Sequence, residues 1–416
     1  MPKRILLVAS TTGYQTHAFA AAAKRLGYEL RLATDRCHML EDPWGDQALP
    51  LRFDDPERSA QIVAGAEESF DGIVAVGDRP AYIAALIARR LSIPYHSPEA
   101  VLACKNKFLA RERFRGAALP VPEFMRFPLD ARPDAAARGV RFPCVLKPLG
   151  LSASRGVIRA NDQQEFVAAF ERIKNILASP EIVRFHEDEA RFIQVEDYIE
   201  GSEFALEGLV TEGRLTTLAI FDKPDPLEGP YFEETIYTTP SRQPAKVQQQ
   251  IINAAARATA ALRLTNGPVH AEMRVNDAGV WMLEAAARPI GGLCAQALRF
   301  ARGVTLEEVI LRHAAREPAG PLELSDPARG VMMIPIPTAG IYAGVSGVDD
   351  AGTIPGIEDV IITAKQGQKL LPLPEGASYL GFIFAHGESA EMVECALRKA
   401  HARLSFDILP ELAVLR

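Results

Sequence analysis

The sequence predicts a mixed α/β (α+β) fold in which a parallel-sheet domain is followed by antiparallel sheet. Three observations carry this expectation. Apolar runs alternate with helical stretches over roughly the first hundred residues. Prolines crowd the segment that follows, and beyond Phe142 short apolar runs come in close pairs.

Ile5 to Ser10 is a continuous apolar run ending in a polar Thr11-Thr12-Gly13 turn, and the Ala-rich stretch from Gln15 to Leu26 reads as a helix stopped by Gly27. Leu30 to Thr34 and Gly72 to Val76 read as further strands, the latter ending at Gly77-Asp78, and Ala81 to Leu91 reads as a second helix. Such βα alternation argues for a parallel sheet with helices on both faces. The first turn, Ala9-Ser10-Thr11-Thr12-Gly13-Tyr14-Gln15, lacks the G-x-G-x-x-G that lets a dinucleotide pyrophosphate approach the backbone, so a dinucleotide-binding domain is set aside. Pro94, Pro98, Pro120, Pro122, Pro128 and Pro133 surround one expected helical stretch, Pro98 to Arg115, and place a boundary near 100 to 125.

Strands are expected at Cys144 to Leu146, Gly156 to Arg159, Phe192 to Val195, Ala205 to Val210 and Leu215 to Phe221. The last two are joined by the short polar turn Thr211-Glu212-Gly213-Arg214, which suits an antiparallel hairpin. Gly330 to Ile336 and Tyr379 to His386 read as strands, and Ser389 to Leu404 as an amphipathic helix. The expected units are 1–115, 116–200, 201–325 and 326–416.

The bulk numbers narrow the function. With 416 residues, 48% hydrophobic and 24% charged, the chain can bury a large core. A net charge of −7 leaves no basic surplus for a phosphate backbone, so small molecules are expected as partners and nucleic acid is not. No stretch reaches the length of a membrane span, and the apolar run near the N-terminus is too short for a signal sequence. Cys37, Cys104, Cys144, Cys294 and Cys395 are odd in number and widely separated, as for reduced thiols in a cytoplasmic protein.

Four clusters carry chemistry: Lys105-Asn106-Lys107; Phe142 to Lys147-Pro148 with the Gly/Ser-rich Leu149 to Gly156; Val195 to Phe204; and His270-x-Glu272 with Leu283-Glu284-Ala285-Ala286-Ala287-Arg288-Pro289. A lysine ending an apolar strand sets a fixed cation at a sheet edge, and the small residues after it, Ser154 among them, let a loop close over phosphate oxygens. Glu272 and Glu284 fall on two strands that can pair side by side, giving the hard oxygen ligands magnesium takes alongside substrate phosphates. Arg288 can fork onto a carboxylate or an acyl phosphate. Taken singly, Lys147 reads as a strand end at the solvent and Glu196 or Glu200 as solvated charges. Glu284 resists that reading, because an unpaired carboxylate between Trp281-Met282-Leu283 and three alanines is costly.

In this order the clusters resemble the ATP-grasp superfamily, nearest its L-amino-acid ligase group, over nearly the whole chain. The resemblance implies an ATP-grasp fold with an N-terminal α/β domain, a small central ATP lid, a larger antiparallel catalytic domain and a C-terminal extension. It implies ATP-dependent joining of a carboxylate to an amine through an acyl phosphate, with ATP and Mg2+ (Mn2+ as a substitute) and a homodimer as the usual assembly. It makes Lys107 and Lys147 the phosphate lysines, Glu196, Asp197 and Ile199 part of the adenine-reading hinge, Glu203 the ribose acceptor, and Glu272 and Glu284 the metal ligands. Arg288 would hold the acyl phosphate or carboxylate, Gly291 and Gly292 belong to the loop closing on that substrate, and His270 is a candidate general base. Many members carry Asn two residues after the second metal glutamate, where this chain has Ala286. The segment from Phe221 to Tyr237 reads as a substrate-facing loop. Rival expectations are a bicarbonate- or formate-activating enzyme of the same superfamily and a nucleotide-binding protein without catalysis.

Overall fold

A computed structural model describes residues 2–10, 15–35, 48–66 and 68–411; the Thr11-Thr12-Gly13 turn and Cys37 lie outside them. The N-terminal unit is a four-stranded parallel sheet in the order Leu49–Pro50, Glu29–Thr34, Arg4–Ala9, Gly72–Val76. The period of two along its first strand explains why a helix lies on each face. Ile5, Leu7 and Ala9 bury against Phe19 of the helix Thr16–Leu26, while Leu6 and Val8 bury against Ile83, Leu86 and Ile87 of the helix Asp78–Leu91. The carboxyl ends of the strands, with Ser10, Gly77 and Asp78, open onto a large cavity, the place where parallel sheets receive ligands.

The expected single helix over Pro98 to Arg115 is two helices, Pro98–Lys105 and Lys107–Gly116. Asn106 breaks the run with extended backbone (φ −93°, ψ 104°), and its side-chain oxygen accepts from Phe108 N and Leu109 N at 3.1 Å. An asparagine that caps competes with helix continuation. The break turns Lys105 and Lys107 in different directions, the first toward Glu187 and the second toward Glu284.

The central unit has its own antiparallel sheet, in the order Phe124–Pro128, Phe192–Asp197, Cys144–Pro148, Ile158–Ala160. The helix Gln163–Leu177 lays Phe166, Phe170 and Ile173 on it, and these pack with Cys144, Leu146 and Val195 into a core separate from the others. Lys105 and Arg79 of the N-terminal unit reach this unit through Glu187, Arg79 Nε lying 3.0 Å from the carboxylate.

An eight-stranded antiparallel sheet follows, in the order Gly279–Ala286, Gly267–Asn276, Ser202–Thr211, Arg214–Asp222, Ile236–Thr239, Ala328–Ile334, Gly381–Gly387, Ile357–Ile362. It takes strands from both sides of residue 325, so the last two expected units share one sheet. Glu212 and Gly213, both at positive φ (49° and 79°), make the two-residue hairpin turn between Ser202–Thr211 and Arg214–Asp222. The helix Ala390–His401, capped by Ser389, packs Val393, Leu397 and Ala400 into a further core beneath this sheet. Among the described residues no helix is long and apolar enough to cross a membrane.

Candidate active site

One cavity of about 340 Å³ lies where the N-terminal unit, the central unit and the eight-stranded sheet meet. Its wall includes Lys107, Lys147, Ser154, Glu196, Asp197, Ile199, Glu203, His270, Glu272, Glu284, Arg288, Gly291 and Gly292, so the structure brings every sequence-predicted site residue to one place.

Strand register places the two expected metal carboxylates. Glu272 stands directly opposite Glu284 on the neighbouring antiparallel strand, beside a bulge that follows Glu272. Lys107 Nζ lies 3.7 Å from Glu284 and 2.5 Å from the carbonyl of Leu151, bridging the carboxylate to the small-residue loop. In that loop Ala153 and Ser154 adopt left-handed backbone (φ 55° and 54°), a strain that non-glycine residues accept where the surroundings enforce it.

Lys147 Nζ contacts Glu196, which also accepts two hydrogen bonds from Arg111, Nε at 3.0 Å and Nη2 at 3.1 Å. Burial pushes the Lys147 ammonium below its ordinary value against the pull of Glu196. For Glu196 burial works toward protonation, but Arg111 and then Lys147 outweigh it and hold the carboxyl at about 2. A carboxyl depressed on folding stabilises above its unfolded value, near 4.5, and loses that contribution as pH falls toward 2, worth roughly 3 kcal/mol by linkage. Denaturant unfolding at pH 7 and pH 3 is therefore expected to show a larger acid loss in the wild type than in Glu196→Gln; equal losses would contradict the assignment. The Glu196 side chain is thus a buried anchor for Lys147. Val145, Val157, Tyr198 and Phe232 line the same end as an apolar slot, with Tyr198 and Phe232 stacked at 6.5 Å.

Glu203 accepts from Lys223 Nζ at 2.8 Å and Arg274 Nε at 3.1 Å, and Arg274 also donates to the Ile199 carbonyl at 2.6 Å. Lys223 sits among Glu203, Glu234 and Glu272, whose oxygens all lie within 4.8 Å of one another. Burial and the charge of Glu272 raise the Glu234 carboxyl. Ala286 is buried opposite His270, and Glu234 lies beside Glu203 and Glu272.

His270 lies between Glu207 (3.1 Å) and Glu272 (3.3 Å). Burial lowers its basicity, but the two carboxylates outweigh this and lift the imidazole to about 9. The ring thus bridges Glu207 and Glu272 on the cavity wall. Arg288 forks onto Asp78, Nε to Oδ1 at 2.8 Å, and Asp78 in turn is held below its ordinary value, against burial, by Arg288 and Lys107. The loop Pro289–Gly292 is pinned from two sides, by Gln15 Nε2 on the Ile290 carbonyl at 2.5 Å and by Glu207 on the Ile290 N–H at 3.2 Å. Gly292 is at φ +60°, where a Cβ would come within 2.9 Å of the Phe382 ring.

Sequence reasoning missed Asp78, Arg111, Lys223, Glu234 and Arg274. Asp78 carried a usable signal, as an acid at the carboxyl end of a parallel strand. Lys223 and Glu234 fall within the segment read as substrate-facing, of which Phe232, Glu234 and Tyr237 do line the cavity. Lys105 lies apart, paired with Glu187.

The chain matches known proteins at two levels. Residues 140–297 match the ATP-grasp domain, and residues 332–408 match L-amino acid ligase C-terminal domain 2. The crystal structure of an L-amino acid ligase from Bacillus licheniformis superposes with a TM-score of 0.82 at 25% identity, covering 98% of each chain. The protein y4rH of Sinorhizobium fredii is 23% identical over 78% of this chain and 65% of its own length. The alanine–anticapsin ligase of Bacillus subtilis is 29% identical over 42% of this chain and 39% of its own. The chain thus spans between two fifths and two thirds of the length of these two curated relatives.

Proposed function

We propose that this chain, which carries an ATP-grasp domain over residues 140–297 and an L-amino acid ligase C-terminal domain 2 over residues 332–408, is an ATP-dependent carboxylate–amine ligase acting on amino acids. The observation that supports this most is the pairing of Glu272 with Glu284 on a wall that also presents Lys107, Lys147 and Arg288. Two carboxylates facing three cations suit a polyphosphate bridged by a divalent ion. The names of the alanine–anticapsin ligase and the L-amino acid ligase bring amino acids forward as the substrate class.

The donor set fits magnesium. Glu272 and Glu284 offer hard oxygens from opposite positions on paired strands, and Lys223 offsets the charge of Glu203 and Glu234 and lies 3.3 Å from Glu272 itself. The bound ion would neutralise charge on the phosphate oxygens. The protein's own residues do the rest. Lys107 and Lys147 hold phosphate oxygens, the apolar slot takes the adenine, and Glu203 faces the ribose. Arg288, kept charged and aimed by Asp78, holds the carboxylate in line with the γ-phosphate. A carboxylate oxygen attacks that phosphorus and ADP leaves. The amine then attacks the acyl carbon, loses a proton, and phosphate departs, so no side-chain nucleophile is required.

The test is mass analysis of products from Mg-ATP with pairs of L-amino acids. An amide with the mass of both partners less water, formed together with ADP, is expected. AMP in place of ADP, or ATP consumption that only bicarbonate or formate stimulates, would overturn the proposal.

A further inference from the structure

Three segments meet at Arg172, on the outer side of the cavity. Arg172 lies on the helix Gln163–Leu177 of the central unit, the unit that also carries the small-residue loop facing the phosphate lysines. Its Nε and Nη2 donate to the two oxygens of Glu375 at 2.5 and 2.8 Å, and its Nη1 donates to the Tyr231 hydroxyl. Both partners belong to loops that enter the cavity. The Glu375 loop places Ala377 and Tyr379 on the wall, and the Tyr231 loop places Phe232 and Glu234 there. The same two loops hold the central unit at neighbouring points, since Gly156 N–H donates to the Pro374 carbonyl and Arg159 N–H to the Pro230 carbonyl, each at 2.9 Å. Gly156 takes φ +73°, and a Cβ there would come within 2.6 Å of the Pro148 ring of the same unit.

We propose that Arg172 is a positioning residue: by gripping Glu375 and Tyr231 it fixes the unit that carries Ser152 to Ser154 against the loops that carry Glu234 and Tyr379, so that the nucleotide and substrate ends of the cavity form together. The proposal rests on the reading of the cavity as an ATP and carboxylate site. The central unit has its own sheet and core, so a few contacts set its placement over the eight-stranded sheet. A guanidinium fork on a carboxylate fixes both distance and angle, which a point charge does not. The side chains of Arg172 and Glu375 are 41% and 36% exposed, so the pair stabilises the fold little and its effect falls on ligand binding.

Calorimetric titration of the full chain with magnesium and adenylyl imidodiphosphate, a non-hydrolysable ATP analogue, tests this with no second substrate in the cell. Arg172→Ala and Glu375→Gln are each expected to weaken binding about three- to tenfold with little change in the thermal midpoint. Arg172→Lys should recover only part of the loss, and the reversed pair Arg172→Glu with Glu375→Arg most of it. If the single variants bind the analogue as tightly as the wild type, the positioning role is overturned while the ligase reading stands. If the wild type itself does not bind it, both fall.

Discussion

Glu284→Gln is expected to lower ATP turnover by at least about a hundredfold, the scale seen when one charged stabiliser of a phosphoryl or acyl transition state is removed. Glutamine keeps the shape of the side chain and removes the charge that would face the metal. Glu284 is also the cleaner of the two carboxylates to change. Its side chain is 27% exposed with Lys107 at 3.7 Å, whereas Glu272 is tied to Lys223 and His270, so that replacing it disturbs a buried network. Phosphate release from Mg-ATP, with thermal unfolding as the control for folding, reads the effect. Activity within threefold of the wild type would remove Glu284 from the metal site.

Arg111→Met is expected to destabilise the chain by about 3–5 kcal/mol, because it leaves a buried carboxylate with half its partners. Arg111 is 1% exposed and Glu196 is 3% exposed, so neither group can turn to water. Arg111 also donates to the carbonyls of Met282 (2.9 Å) and Leu283 (2.8 Å), and so ties the helix Lys107–Gly116, the central sheet and the strand carrying Glu284 at one point. The double variant Arg111→Met/Glu196→Gln is expected to lose less than the sum of the two single losses, since the stranded charge is gone. Denaturant midpoints of the four proteins measure the coupling. A loss below about 1 kcal/mol for Arg111→Met would mean that Lys147 and Gln194, whose Nε2 donates to the same carboxylate at 2.9 Å, satisfy Glu196 between them.

Much of the site was legible because it is written in short segments. Glu272 and Glu284 sit on strands joined by a turn of a few residues, so the sequence showed that they could pair side by side while the family resemblance singled them out, and the Thr211-to-Arg214 turn marked the neighbouring hairpin. Lys147 and the Gly/Ser-rich loop after it are also local. What stayed hidden depends on tertiary contact: Asp78 meets Arg288 across 210 positions and Arg111 meets Glu196 across 85, and no local period encodes either. Helices were lost for a different reason. Ala245–Ala261 begins after Pro244 with no side-chain cap and is alanine-rich, so its start carries no signal, and Gln163–Leu177 went unread although Asp162 caps it. Asn106 shows the converse, where one capping residue inside an apparently continuous helix decides which way Lys107 points.

Activation of a carboxylate by direct transfer of the γ-phosphoryl group leaves an oxygen label in the released phosphate, whichever pair of amino acids the chain prefers. The chain is incubated with Mg-ATP and a mixture of the common L-amino acids carrying ¹⁸O in their carboxylates, and the released phosphate is weighed by mass spectrometry. One labelled oxygen in each phosphate formed with ADP is the predicted result, because the bridging oxygen of the acyl phosphate leaves with phosphorus. Phosphate released without label would show that water or another acceptor takes the phosphoryl group, and would contradict the account.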